Sequence, residues 1–182
     1  MNEAIHLLRI NGSMRESPLI EVMQELHSLL SQYDIPYAII GGMAVVRSGA
    51  TRTTQDIDIL VTREGWRTVR DALQKHVSGF EIAGEHAREK RYGIEIDILF
   101  PGNEWEMVIP LPDPQAVREF DPDYKVWFID LMHLLELKTA VYLKKREEDG
   151  IEIAAKDLAD IVALIEANRD SISIERIQTL TP

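Results

Sequence analysis

The chain has 182 residues, of which 45% are hydrophobic and 28% are charged, and its formal net charge is −11. No apolar run approaches the roughly 18 residues needed to cross a membrane, and without cysteine the chain forms neither disulfides nor thiolate metal sites. The acidic balance argues against nonspecific coating of nucleic acid, because such binding depends on neutralising phosphates. We therefore expect a cytoplasmic globular protein of one domain, or of one core with a helical appendage.

Helices and strands alternate over the first 100 residues. Ser17 and Pro18 predict the start of a helix with an apolar stripe that runs to Leu30, and Tyr33–Pro36 breaks it. The elements predicted next are a strand at Tyr37–Ile40, a short helix to about Ser48, a strand at Asp56–Val61, a helix at Trp66–Val77, and strands at Phe80–Ala83 and Ile94–Phe100.

The second half divides at a proline-rich passage. Trp105–Ile109 predicts a strand, and Pro110–Pro122, which holds four of the eight prolines, predicts a loop. We place a boundary here, with residues 1–122 as a core and residues 123–182 as a C-terminal helical region. The elements predicted beyond it are a short strand within Tyr124–Ile129, helices at about Leu131–Arg146 and Ala155–Ala167 with a loop at Glu147–Gly150 between them, and a short helix at Ile174–Thr179.

Two aspartates flank one isoleucine on the second predicted strand. Side chains alternate along a strand, so Asp56 and Asp58 share one face, separated by roughly 6.6 Å, and their carboxylates can converge on one cation. Asp97 lies on a later strand with the same alternation and could join them if the two strands are neighbours. Crowded carboxylates require protons or a divalent cation, and hard oxygen ligands favour Mg²⁺ or Mn²⁺. The alternative is that all three are solvent-facing residues of half-exposed strands.

Gly41 and Gly42 stand at the junction between a strand and a helix. Glycine lets the backbone turn sharply and approach a ligand closely, and the first N–H groups of a helix can bind anionic oxygens. Arg52 and Thr54 precede the aspartates and could add contacts to a phosphate or a nucleotide. A plain turn followed by a plain loop would explain the same residues.

Lys138 falls in the middle of the apolar stripe of its predicted helix. A lysine is rarely buried unless it is paired. It could therefore reach an internal acid, for which Asp157 on the next helix is the candidate, or the triphosphate of a ligand. A purely structural ion pair is the alternative reading. Four histidines show no ligand spacing and receive no role: His27, His76, His86 and His133.

Together these residues resemble the polymerase-beta-type nucleotidyltransferase superfamily, over about residues 18 to 167. Gly41-Gly42 followed by Asp56-Ile57-Asp58, with a later Asp97 between apolar residues, is the core pattern of that resemblance. A finer pattern is similar to the minimal bacterial and archaeal branch, which includes abortive-infection toxins of toxin–antitoxin systems. It consists of Gly41-Gly42, Ala44, Gly49, Arg52, Thr54, Asp56-Ile57-Asp58, Lys138 and Lys156–Ile161.

The resemblance implies an α/β (α+β) fold, with a short mixed twisted sheet flanked by helices as the nucleotidyltransferase core and a C-terminal helical tail packed on it. It also implies a metal-dependent site that uses an NTP. The roles it implies are Gly41 and Gly42 around the triphosphate, Asp56 and Asp58 on two Mg²⁺ ions, Asp97 as third metal ligand and as base toward the acceptor hydroxyl, Lys138 on a phosphate, and Asp157 in the same tail motif.

The expected reaction moves a nucleoside monophosphate from an NTP to a macromolecular hydroxyl and releases pyrophosphate. The acceptor is expected to be a tRNA 3′ end or a protein side chain, and a toxin of this kind would have an antitoxin protein as partner. The rival interpretation is a catalytically inactive nucleotide-binding partner module of the same fold. A metal-dependent phosphohydrolase uses similar carboxylates but does not explain the Gly41-Gly42 turn.

Overall fold

The structure is a computed structural model that describes residues 17–76, 79–105 and 109–172. Its helices are α1 (Pro18–Gln32), α2 (Gly41–Arg47), α3 (Arg63–His76), α4 (Pro114–Val117), α5 (Leu131–Glu148) and α6 (Ile151–Ala167). Its strands are β1 (Tyr37–Ile40), β2 (Asp56–Val61), β3 (Phe80–Ala83), β4 (His86–Glu89), β5 (Ile94–Leu99), β6 (Glu104–Trp105), β7 (Ile109–Pro110), β8 (Arg118–Asp121) and β9 (Val126–Ile129). The helix predicted at Ile174–Thr179 lies outside the described residues.

Seven strands form one mixed sheet, in the order β3-β4-β5-β2-β1-β9-β8. The pairs β2–β5 and β1–β9 are parallel, and the other neighbouring pairs are antiparallel. With helices packed against this sheet, the predicted α/β (α+β) architecture is confirmed. Two of the parallel strands, β2 and β5, carry the aspartates.

The hydrophobic core explains why the central strands occupy their positions. All four residues of β1 are buried, so this strand lies inside the sheet between β2 and β9. The apolar stripe of α1, including Val22, Met23 and Leu26, is buried in the same core. Burying each such side chain contributes roughly 1.5–3 kcal/mol. The carboxylate-bearing face is therefore built on a strand whose opposite side, with Ile57 and Ile59, is fully packed.

The loop predicted over Pro110–Pro122 is wrong, because it contains α4 and β8. Proline is compatible with the first turn of a helix, where its missing N–H has no partner to lose, and Pro114 occupies that place after the N-cap Asp113. β8 shows no apolar alternation because it is an edge strand paired on one side with β9. Its charged sequence therefore reads as a loop.

Three further boundaries differ from the prediction. β4 was not predicted, because its inward positions are occupied by Ala87 and by the fully buried Glu89, which breaks the apolar pattern. Trp105–Ile109 is not one strand: β6 and β7 pair antiparallel with each other. The α5–α6 connection is shorter than predicted and turns at Gly150, whose φ is +91°.

Within the described part of the chain, no helix combines the length and the apolarity that spanning a membrane requires.

Candidate active site

Asp58 and Asp97 lie directly opposite each other on the parallel strands β2 and β5. Two residues earlier, Asp56 pairs with Glu95 in the same register. Residues opposite each other on neighbouring strands point to the same face, as do residues two apart on one strand. The condition set by the sequence, that the two acidic strands are neighbours, is thus confirmed.

Asp58 is the carboxyl group of this site whose pKa is clearly raised. Burial, and after it the negative charges of Asp56 and Asp97, raise its pKa from 3.8 to about 7. A hydrogen bond from the N–H of Gly42 and the positive charge of Lys138 act in the opposite direction. The carboxyl group therefore exchanges its proton near neutral pH, which is typical of functional sites.

The two outer aspartates each have a hydrogen-bond partner within the chain. Thr54 Oγ1 donates to Asp56 Oδ1 over 2.7 Å, and Asp97 Oδ1 lies 2.6 Å from His86 Nδ1. The partner of Asp56, Thr54, is buried. The Asp97 side chain, which pairs with His86, is 43% exposed. The two aspartates therefore differ, since Asp56 is held by the loop before β2 and Asp97 by the neighbouring strand β4.

The fit to a divalent cation depends on this donor set. Within residues 17–76, 79–105 and 109–172, no group of three or more histidine, aspartate or glutamate side chains is arranged to hold a metal ion. The chemistry of the set nevertheless suits one, because Asp56, Asp58 and Asp97 crowd negative charge around hard oxygen donors. A cation bound by Asp56 and Asp58 would lower the pKa of Asp58 by favouring its charged form.

The two glycines lie against the carboxylate site. Gly41 has a φ of +60°, and a Cβ atom there would collide with Asp58 Oδ2. At Gly42 a Cβ atom would collide with Thr54 Oγ1 and lie 3.1 Å from Arg52 Nη2. Both glycines are buried. The glycine turn therefore packs directly on the residues around Asp58, and the Gly42 N–H is already bonded to that carboxyl group.

Lys138 forms the ion pair that its position in the apolar stripe predicts. Its Nζ lies 3.1 Å from Asp157 Oδ1 and 2.9 Å from Asp160 Oδ2. The Lys138 side chain is 13% exposed, and both aspartates are buried. The pairing with Asp157 is thus confirmed, and Asp160 is an additional partner that the sequence did not single out.

Two further cations join this pair. Arg52 Nη1 lies 2.6 Å from Asp160 Oδ2, and Lys145 Nζ lies 3.1 Å from Asp157 Oδ2. Because Lys138 also influences the pKa of Asp58, the group borders the carboxylate site. We call Arg52, Lys138, Lys145, Asp157 and Asp160 the buried ion-pair cluster.

Sequence reasoning assigned no individual role to His86, Lys145 or Asp160. Asp160 follows Asp157 by one helical turn, and this three-residue spacing on an apolar helix was a readable signal. Lys145 lies two turns after Lys138 on α5, so its position on the same face of the helix could also be inferred from spacing. His86 had none, because β4 was not predicted and its pairing with Asp97 depends on strand register.

The fold and the site define a class: the chain has the fold of the polymerase-beta-type nucleotidyltransferases. More narrowly, residues 22–109 match the family model of the aminoglycoside-2″-adenylyltransferases, which is just under half of the chain. The matched segment includes both glycines and all three aspartates of the site. Among curated proteins, none matches this chain in sequence.

Solved structures with the same fold cover most of the chain. An antigenic nucleotidyltransferase-like protein from Paracoccidioides brasiliensis is 21% identical, with a TM-score of 0.62 over 89% of this chain and 84% of that one. ANT(2″)-Ia in complex with adenylyl-2″-tobramycin is 14% identical, with a TM-score of 0.62 over 90% and 95%. The lincomycin-bound lincosamide antibiotic adenylyltransferase LnuA is 18% identical, with a TM-score of 0.51 over 86% and 98%. At these identities the similarity establishes the fold.

Proposed function

We propose that this protein transfers a nucleoside monophosphate from an NTP to a hydroxyl group of a small polycationic acceptor of the aminoglycoside kind. ATP is the favoured NTP. The observation on which the proposal depends is the raised pKa of Asp58, to which the negative charges of Asp56 and Asp97 contribute. The Asp58 carboxyl group also lies directly beside the glycine turn. This is the charge arrangement that a divalent cation and a triphosphate would relieve together.

Each residue has one task in the proposed reaction. Asp56 and Asp58 would hold Mg²⁺ or Mn²⁺, which when bound neutralises charge on the phosphates. Gly41 and Gly42 keep the turn close to Asp58. Asp97, whose side chain is 43% exposed, accepts the proton of the acceptor hydroxyl as the oxygen of that hydroxyl bonds to the α-phosphorus. The bond between the α-phosphorus and the bridging oxygen breaks, and pyrophosphate leaves.

The positively charged residues of the site would bind the nucleotide. Lys138 and Arg52 would contact the triphosphate. Asp157 would hold Lys138 in place, and Thr54 would hold the metal ligand Asp56. Arginine and lysine donate well to phosphate oxygens, and here both are held with little freedom because their side chains are 14% and 13% exposed.

The acceptor is inferred from charge and from the family match. The family model and two of the compared structures are adenylyltransferases described with antibiotics. A net charge of −11 attracts a polycationic aminoglycoside and repels the polyanionic tRNA. We therefore place the small acceptor ahead of the tRNA 3′ end and the protein side chain that the sequence predicts. The antitoxin partner, the toxin role and the cytoplasmic location stay predictions.

The proposal is tested by incubating the protein with each α-labelled NTP and Mg²⁺. The acceptor arms are an aminoglycoside panel, a lincosamide, bulk tRNA and a protein extract. We expect labelled aminoglycoside and one pyrophosphate for each transfer, both abolished by Asp58→Asn. The matched control is Asp71→Asn, which removes an exposed carboxylate paired with Arg70 and should retain activity.

The other outcomes separate the alternatives. Label on tRNA or on protein would favour the macromolecular acceptor and contradict the small one. NTP binding without pyrophosphate release in any arm would favour the inactive nucleotide-binding module. Turnover that survives Asp56→Ala would refute the metal role of the Asp56–Asp58 pair.

A further inference from the structure

Asp160 has an unusual position in the buried ion-pair cluster. One of its oxygens, Oδ2, receives both Arg52 Nη1 at 2.6 Å and Lys138 Nζ at 2.9 Å. Asp157 has a different arrangement, with Lys138 on Oδ1 and Lys145 on Oδ2. Asp160 is therefore the carboxylate that joins the two cations proposed for the triphosphate.

These three residues come from three separate parts of the fold. Arg52 lies in the loop before β2, Lys138 lies on α5, and Asp160 lies on α6. Arg52 reaches the glycine turn, since its Nη2 lies 3.1 Å from the position of a Cβ atom on Gly42. Lys138 meets Arg52 at the same oxygen atom, since its Nζ lies 2.9 Å from Asp160 Oδ2. The shared carboxylate thus holds two cations at the rim of the carboxylate site.

The electrostatics require such a partner. Two cations that approach the same oxygen atom lie close to each other, and in a weakly solvated site their repulsion is only weakly screened. Asp160 is 5% exposed, so its charge is little weakened by water. Without it, the guanidinium of Arg52 keeps a contact of 3.4 Å with the Thr53 carbonyl and would be driven away from Lys138.

We propose that Asp160 is a positioning residue for the NTP, which holds Arg52 and Lys138 side by side as a ready-made site for the triphosphate. This inference rests on the proposed function and gives an individual role to Asp160, which lies in the same Lys156–Ile161 segment as Asp157. Asp160 itself carries a negative charge and does not contact the phosphates. It acts through the two cations.

The first test compares Asp160→Asn with the wild-type protein and with Glu166→Gln, which removes an exposed carboxylate from the same helix. The dissociation constant for ATP with Mg²⁺ is measured by calorimetry, and folding is checked by circular dichroism and thermal unfolding. We expect the constant to rise about tenfold or more in Asp160→Asn, the size typical of partners that orient ligand-binding groups, and to stay unchanged in Glu166→Gln. In the transfer assay KM for ATP should rise more than kcat falls.

The second test is a double-mutant cycle with Lys138→Met. If Asp160 acts through Lys138 and Arg52, removing Asp160 after Lys138 should change the ATP dissociation constant less than it does in the wild type. Additive effects, or unchanged or tighter ATP binding by folded Asp160→Asn, would overturn the proposal. If Asp160→Asn does not fold, Asp160→Glu, which keeps the charge but displaces it by one methylene, takes its place with the same expected rise.

The result for the wild type separates this inference from the proposed function. A wild-type protein that binds ATP but transfers nothing contradicts the transferase, while the comparison of dissociation constants still decides the role of Asp160. A wild-type protein that does not bind ATP contradicts both.

Discussion

At the scale of single residues, both the backbone conformation of Gly41 and its closeness to Asp58 require a residue without a side chain. A residue with φ near +60° costs an L-amino acid about 1–2 kcal/mol, and here a side chain would also collide with Asp58 Oδ2. We expect Gly41→Ala to lower nucleotidyl transfer about a hundredfold, because small displacements of a reacting group have effects of this size. Steady-state kinetics with the best acceptor measure it.

Gly84 provides the matched control for this prediction. Its φ is +65°, close to that of Gly41, but a Cβ atom there would meet nothing within 4 Å. Gly84→Ala therefore introduces the same backbone strain without the collision. If both variants lost activity equally, the loss would come from backbone strain and the collision with Asp58 would have no functional meaning.

Asp58 predicts an unusual pH dependence of stability. Its pKa is raised in the folded protein, so its stabilising contribution is fully present below the unfolded value of 3.8 and is lost as the pH rises through about 7. Asp58→Asn does not titrate and should therefore gain stability relative to the wild type as the pH rises. Between pH 5 and pH 8 we expect a relative gain of about 2 kcal/mol, since one pKa unit corresponds to about 1.4 kcal/mol.

Urea unfolding at both pH values, with EDTA present, measures this gain. Addition of Mg²⁺ at pH 8 should stabilise the wild type and not Asp58→Asn. The exposed variant Asp71→Asn serves as the control and should show no such trend. A wild-type stability that rises from pH 5 to pH 8 relative to Asp58→Asn would contradict the raised pKa.

At the scale of helices and strands, predictability followed the hydrophobic pattern. β1 and β2 were predicted at their observed bounds because buried apolar residues fill β1 and alternate with the two aspartates in β2. β4 and β8 were not, because one has a buried glutamate at an inward position and the other is a polar edge strand. Glu89 is stable there because the N–H groups of Arg91 and Tyr92 and the guanidinium of Arg91 donate to it, and no local sequence rule indicates this arrangement.

Asn168 connects two helices at their C-terminal ends. Its Nδ2 donates to the Ser48 carbonyl after α2 over 2.7 Å and to the Leu164 carbonyl in α6 over 2.8 Å. We expect Asn168→Ala to lower the free energy of unfolding by about 1–3 kcal/mol, because two carbonyl groups lose their donor. Asn168→Asp should destabilise more, since a carboxylate would face both carbonyl oxygens. Thermal unfolding measures the change.

The neighbouring exposed Arg169 is a suitable control for this link. It pairs with Glu166 on the surface, where the side chains are 72% and 62% exposed. Arg169→Ala should therefore leave stability within about 0.5 kcal/mol of the wild type. An Asn168→Ala variant as stable as Arg169→Ala would show that α6 is held to α2 by packing alone.

At the scale of the whole molecule, the site is assembled from parts that are distant in sequence. The aspartate pair and the glycine turn are local, so they could be predicted from spacing. The position of Asp97 opposite Asp58 depends on the pairing of β5 with β2. The alternation of apolar and acidic residues on both strands made it possible to expect this pairing from the sequence. The junction of Arg52 with Asp160 could not be predicted, because it joins residues 108 positions apart through the packing of α6.

The order of the strands makes a prediction about the boundary at residues 122 and 123. β9 lies beyond that boundary but pairs with both β1 and β8 inside the sheet. A fragment of residues 1–122 would lack β9, α5 and α6, and would leave unpaired the edge of β1 that pairs with β9. We expect this fragment to lose cooperative thermal unfolding, whereas the full chain keeps it. A sharp transition in the fragment would instead establish residues 1–122 as an independent core, with β9 added to a sheet that is stable without it.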